Sequence, residues 1–237
     1  MSNSFNNIVN NIVKNTVSHA VYRYYTAYRH LAIAEAQAAP TAQQIAAIES
    51  LLEAPLPPAF LAFLQVANGA YIDYTCDVPD GQGGVEHMAF NTFFNADEGD
   101  FCDETFVGEI RAARQHTAMP VKILPFARDG GNSMVYLDLT PEGGGRVLAY
   151  VQELPDWTGR RAHGFITLAP SFDAWLDSLY IDRETVLDEL EHNASEPSHL
   201  EATKEWLDIG LPNWRQDAGI CALLALKQVQ LCASEQD

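Results

Sequence analysis

A chain of 237 residues with 47% hydrophobic content is long enough to bury a sizeable core. Thirty-two acidic residues against fourteen Lys and Arg give a net charge of −18, which argues against direct nucleic-acid binding because that needs a basic face to displace phosphate counterions. No apolar run approaches the ~20 residues that cross a bilayer, and the first residues lack the basic and apolar regions of a signal peptide; we therefore expect a cytoplasmic protein without a membrane role.

Residues 5–37 place Ile8, Ile12, Val13, Val17, Ala20, Val21, Tyr24, Tyr25, Tyr28, Leu31 and Ala32 at three- and four-residue spacings, which predicts a helix and a helical extension over residues 1–40. Its tyrosines, interleaved with His19, Arg23, Arg29 and His30, read as a packing face with wet hydroxyls rather than a base-stacking platform. A second helix is expected over Thr41–Ala54. A third starts near Pro58, where proline is tolerated in the first turn, and stops at Asn68-Gly69.

The runs AYIDYTC and VEHMAFNTFF flank the turn PDGQGG and predict a hairpin. A helix follows from near Phe101, with Asp100 as its N-cap and Asp103 and Glu104 in its acidic first turn. Then come the short β-rich runs VKILPFA, SMVYLDL, RVLAYVQ and HGFITLA, joined by turns that favour antiparallel pairing. Ser171 caps a helix carrying Phe172, Trp175, Leu176 and Leu179, and further helices are expected near 183–192, 197–208 and 216–233. The last is apolar enough to be expected largely buried. The fold class is thus α+β, a mainly antiparallel sheet framed by helices. Residues 41–180 form the core domain, and residues 181–237 form a C-terminal helical extension packed on it.

The Asp129–Asn132 turn, Asp-Gly-Gly-Asn, leads from strand to strand, whereas a phosphate cradle leads into a helix. It reads as a corner in which Gly130 and Gly131 supply positive φ and Asp129 and Asn132 satisfy the local backbone. His87 sits apart from other ligand types and reads as an ordinary strand histidine. Cys76, Cys102, Cys221 and Cys232 form no CxxC and no zinc spacing, and are expected as free thiols. With no nucleophile or metal-ligand constellation in local register, we expect no catalytic residues, no cofactor, no metal and no enzyme activity.

The charge is unevenly spread. No Lys or Arg occurs between Arg29 and Arg111, while Asp73, Asp77, Asp80, Glu86, Asp97, Glu98, Asp100, Asp103, Glu104 and Glu109 fall inside that window. Such a one-signed field attracts a basic partner. Asp97 and Glu98, which helix capping does not explain, are the first candidates for partner binding. Asp73, Asp77 and Asp80 on the hairpin are a second group, and Asp100, Asp103 and Glu104 are contributors.

LPPAFLAFLQVANGA (Leu56–Ala70), ILPFARDGGNSMVYLDL (Ile123–Leu139), GRVLAYVQE (Gly145–Glu153) and APSFDAWLDSL (Ala169–Leu179) occur in this order. Together they resemble the SUKH superfamily, which includes yeast cell-wall-assembly regulators and many bacterial immunity proteins of toxin systems. Ala70 stands where a second glycine is common, and Asn132-Ser133 replaces the usual Gly-Asp. The resemblance implies an α+β fold and a protein that blocks a cognate toxin, such as a nuclease or other basic effector, by stoichiometric binding. A regulatory or scaffold module of the same fold is the alternative, and an enzyme ranks third.

Overall fold

The computed structural model describes residues 25–80, 83–100, 103–117, 119–131, 133–151 and 165–234. Their secondary structure is α+β, with every strand pair antiparallel.

The helix expected over residues 5–37 does not form in its described part, and residues 1–24 lie outside the described residues. Instead β1 (Thr26–Tyr28) and β2 (Leu31–Ile33) make a hairpin, turned by Arg29 at φ 56°. Long-range partners select this conformation. Ala34 and Tyr71 exchange both backbone hydrogen bonds at 2.9 Å. The Tyr74 hydroxyl accepts from Ala32 N and donates to the His30 carbonyl. Arg29 reaches across to Asp173 and Asp177. Leu31, Ala32 and Ile33 are all buried, a run that suits a covered strand as well as a helix.

Helix α1 (Ala42–Leu52) starts at a complete capping box, in which Thr41 accepts from Gln44 N and the Gln44 side chain accepts from Thr41 N. Helix α2 (Pro58–Leu64) begins on proline and buries Phe60, Phe63 and Leu64. The predicted hairpin is present as β3 (Cys76–Pro79) and β4 (Val85–Met88), with Cys76 opposite Met88. Its return run then breaks, and Thr92–Phe93 joins a different sheet as β5.

That sheet has the order β5-β6-β7-β8-β9, with β6 Ile123–Arg128, β7 Met134–Asp138, β8 Arg146–Tyr150 and β9 Ile166–Ala169. The β6–β7 register shifts between Pro125 and Ala127, beside a proline that has no N–H to give the ladder. Side chains alternate along β7: Val135 and Leu137 join the main core, whereas Tyr136 packs with Ile123 and Leu148 in a second small cluster. Helix α2 and helix α4 (Phe172–Ser178, capped by Ser171) supply the main core's centre. Phe60, Phe63, Phe93, Phe126, Phe172 and Trp175 meet there mostly edge to face or tilted, as at Phe60–Phe172 (5.0 Å) and Phe126–Trp175 (5.1 Å). Helix α3 (Phe106–Thr117) packs against β6 and α1, and Arg114 donates to the Leu51 carbonyl near the end of α1.

The Asp129 corner is strand to strand, as expected, but its glycines play another part. Neither Gly130 nor Gly131 has positive φ, and a β-carbon on Gly130 would meet open space. The turn is organised by Asp129, whose Oδ1 accepts from Gly131 N (2.8 Å) and Ser133 N (3.0 Å). Positive φ occurs instead in the β7–β8 turn, at Gly144 and Gly145.

After α4, α5 (Arg183–Asp188) runs into a π-helical turn at Glu189–Asn193. Then follow α6 (Pro197–Gly210), a 3-10 turn at Trp214–Gln216 and α7 (Ala218–Ser234). Leu190, Leu200, Trp206, Leu207 and Trp214 belong to the same core as the sheet, and α6 packs on β2. Helix α7 departs from expectation. Only Ile220 and Leu224 of it are buried, while Leu226 and Val229 are 53% and 68% exposed. Apolar composition does not by itself bury a helix; a partner face must exist for each side.

Candidate partner-binding surface

The acids ahead of α3 sit on an excursion with a tied base. Asn95 N donates to the Glu104 carbonyl (2.9 Å) and Phe106 N donates to the Asn95 carbonyl (2.9 Å), so the chain leaves and returns at one point. Buried Asn68 braces the exit: its Oδ1 accepts from Ala96 N (2.9 Å) and its Nδ2 donates to the Ala38 carbonyl (2.7 Å). Gly69, at φ +59°, allows the contact, since a β-carbon there would lie 2.8 Å from Asn95 Cβ. The Asn68-Gly69 pair therefore does more than stop a helix. It anchors the loop that carries the acids.

Between these anchors Asp97, Glu98, Asp100 and Asp103 are exposed. Asp97 Oδ1 accepts from Gln44 Nε2 (2.7 Å), and Asn95 Oδ1 accepts from Asp97 N (2.9 Å). A neutral amide thus orients the carboxylate without cancelling its charge. Asp100 is not the N-cap of α3. The helix begins at Phe106, and the Thr105 hydroxyl accepts from Gly108 N (3.0 Å). Asp103 instead accepts from Asp100 N (2.8 Å) within the loop, and Glu104 lies at φ 57°. A left-handed residue there interrupts the helical path that the spacing suggested. A β-carbon on Gly108 would overlap the Asp100 carbonyl, so the loop folds onto the first turn of α3.

Glu104 pairs with Arg128 (2.5 Å), whose other nitrogen is 4.0 Å from buried Glu109. The base-free window in sequence is therefore met in space by an arginine from the end of β6, but at Glu104 and Glu109. Glu98 has no ion pair among the described residues.

The second group lies on another element. Asp77 Oδ1 accepts from the Tyr180 hydroxyl (2.8 Å) and lies 3.0 Å from His87 Nδ1, which is itself 2.8 Å from the Tyr180 hydroxyl. Partial burial first, and then Asp77, push the Tyr180 phenol up to about 12. Asp73 Oδ1 accepts from the Tyr71 hydroxyl (2.8 Å), and Asp80 Oδ1 accepts from Gly84 N (2.9 Å). Tyr71 bridges Thr92 of β5, whereas Thr75 bridges Tyr180 and β3 packs near β9. The candidates thus fall into two groups, one beyond β5 and one beside β9, with Asp73 on the segment between. The residues missed by sequence reasoning are the supports: Gln44, Asn68, Gly69, Asn95 and Thr105. Only Asn68-Gly69 carried a local signal.

The other buried acid of note, Asp138, is a turn organiser. Burial alone would raise its carboxyl. Bonds from the Thr140 hydroxyl (2.6 Å), Thr140 N (3.1 Å) and Arg146 Nε (2.9 Å) hold it below the usual carboxylate range instead. Cys76, Cys221 and Cys232 are free thiols, and burial pushes Cys76 up to about 12. Among the described residues no group of three or more His, Cys, Asp or Glu is placed to hold a metal ion, and no helix is long and apolar enough to cross a membrane.

Residues 39–178, from just ahead of α1 to the end of α4, match the sequence model of the SMI1 / KNR4 family (SUKH-1). No curated protein matches the chain.

Proposed function

Because the chain belongs to the SMI1 / KNR4 family (SUKH-1), we propose that it is an immunity protein that binds and neutralises a cognate bacterial toxin in the cytoplasm. The reading assigns stoichiometric protein–protein binding and no catalytic step. One observation carries the choice of surface: Asp97 and Glu98 are exposed on a loop tied at its base by Asn68 and Asn95, and the nearest donor to Asp97 is the uncharged Gln44 amide. A loop that is anchored yet keeps its negative charge suits a basic patch on the partner, because little ordering remains to be done on contact.

The test is co-expression of the chain with the product of the adjacent gene, followed by pull-down and growth rescue. Rescue together with a one-to-one complex is the expected result. Rescue without a complex, or a stable complex of the chain with a non-toxic partner alone, overturns the assignment.

A further inference from the structure

The β3–β4 hairpin leaves the outer edge of β4 unpaired. Asp80 N donates to the Gly84 carbonyl (3.0 Å), which sets the phase of the antiparallel ladder. Hydrogen-bonded pairs alternate with open ones, so Val78–Glu86 and Cys76–Met88 exchange bonds while Pro79–Val85 and Asp77–His87 do not. Pro79, which has no N–H to give, falls in an open pair, as that phase requires. Thr75 fits it too, since it turns from β4 to exchange both backbone bonds with Tyr180 (2.8 and 3.0 Å). On β4 the same phase directs the N–H and C=O of Val85 and His87 away from β3. Among the described residues β4 pairs with β3 alone, and these groups meet no other backbone partner.

The edge is open and its strand is held in place. Natural edges are blunted by Lys, Pro or a bulge. Val85–Met88 contains neither residue, and the β3–β4 register runs without a shift. Val85 is 46% exposed. Beneath it, Cys76 and Val78 are buried in the main core, and Asp77, His87 and the Tyr180 hydroxyl lie 2.8–3.0 Å from one another. A strand fixed in this way leaves little ordering to be done when another pairs with it.

Charge selects the occupant. Residues 76–88 hold Asp77, Asp80 and Glu86 and no Lys or Arg. Glu86 is half-buried, and its side chain has no ion pair or hydrogen bond among the described residues. In an antiparallel strand added to β4, Val85 and His87 occupy hydrogen-bonded pairs. Glu86 then lies in the open pair between them, where facing side chains come closest. A second copy of β4, in the register that uses both residues' N–H and C=O, sets Glu86 against Glu86, a like-charge pair that disfavours it.

We propose that the β4 edge docks an extended basic segment of the partner protein, which adds as an antiparallel strand through Val85 and His87 and sets a Lys or Arg against Glu86. The inference rests on the proposed binding of a basic toxin for the source of that strand, and on the hairpin alone for the site.

Amide exchange on the full chain by NMR, with a short capped peptide of alternating Val and Lys as probe, tests the site. In the free chain, Glu86 and Met88 amides should exchange more slowly than those of Val85 and His87. Saturating peptide should slow Val85 and His87 several-fold. The same peptide with Glu for Lys, or with every amide N-methylated, should not. Val85→Pro removes an outward N–H and no ladder bond, so its melting temperature should hold while peptide affinity falls several-fold. Glu86→Lys should switch the preference to the Glu peptide. Loss of the alternation, no slowing by the Lys peptide, or equal binding of the N-methylated peptide overturns the proposal. So does a parent dimer in sedimentation velocity that Val85→Pro dissociates, which assigns the edge to a second copy. With the adjacent-gene toxin, both variants should weaken the complex. A toxin that binds both like the parent overturns the docking site and leaves the immunity reading standing. A chain that takes the Lys peptide as expected but binds no toxin keeps the site and overturns the immunity reading.

Discussion

Gly143 packs so closely on Asp138 that a β-carbon at residue 143 would overlap the carboxylate. The β7–β8 turn is built around that acid: it accepts from Thr140 and Arg146, and Thr140 Oγ1 in turn accepts from Gly143 N (3.0 Å). Gly143→Ala is therefore expected to cost about 1–3 kcal/mol, the range for overfilling a packed site. Gly130→Ala, where the added carbon meets open space at ordinary φ, should stay within about 0.5 kcal/mol of the parent. Urea denaturation of both compares them directly. Equal losses would show that the two turns are built alike.

Acid should reveal the same carboxylate. Its folded-state pKa lies below the unfolded value, so its ionised form stabilises the protein fully at neutral pH. That contribution is lost as pH falls below roughly 4 and through the lower folded value. Asp138→Asn should thus be least stable relative to the parent between about pH 5 and 7, with the gap closing in stronger acid. A gap that is constant with pH would assign the whole cost to packing.

The start of α3 gives a paired comparison. Thr105→Ala removes the acceptor for Gly108 N and should cost about 1 kcal/mol, with burial of the side chain adding to that. Asp100→Ala leaves the cap in place and should cost clearly less. The reverse ranking in thermal melts would return the cap to Asp100.

Charge reversal tests the acidic loop. With a basic toxin, Asp97→Lys/Glu98→Lys should slow association several-fold at low ionic strength and flatten its dependence on salt. Exposed single charges contribute modestly, so complete loss of binding is not expected from this pair. Stopped-flow association at two salt concentrations measures both quantities. An unchanged rate and salt slope would leave these acids only a solubilising role.

Local signals made much of this fold legible. Thr41, Ser171, and Pro58 at a first turn each marked a helix start that the structure retains. The β3–β4 hairpin and the strands from β6 to β9 announced themselves through turns between β-rich runs. The failures share a cause, which is that the deciding contact comes from far along the chain. Tyr25, Tyr28 and Leu31 fit a helical stripe, yet Tyr71 and Tyr74 draw Ala34 and Ala32 into extended backbone. Asp100 is a good capping residue, but Glu104 at φ 57° and the Asn95 contacts restart the chain at Thr105. The exposure of α7 depends on what faces it, which composition does not contain. The candidate acids were readable as charge; the supports that aim them, Gln44 and Asn95, were not.

Strand order in the five-stranded sheet follows chain order, whereas Asp77 and Tyr180 meet 103 residues apart. The meander assembles from near-neighbour closures. The staple formed by Thr75, Asp77 and Tyr180 closes a long loop, whose entropic cost is smaller once β9 and α4 are in place. Such a staple is expected to form on the late side of the folding barrier. Weakening it, as in Tyr180→Phe, should steepen escape from the native state while leaving the rate of entry near that of the parent. The hairpin bearing Asp77 would then act as a latch on how long the native state lasts, with no say in how quickly it is reached.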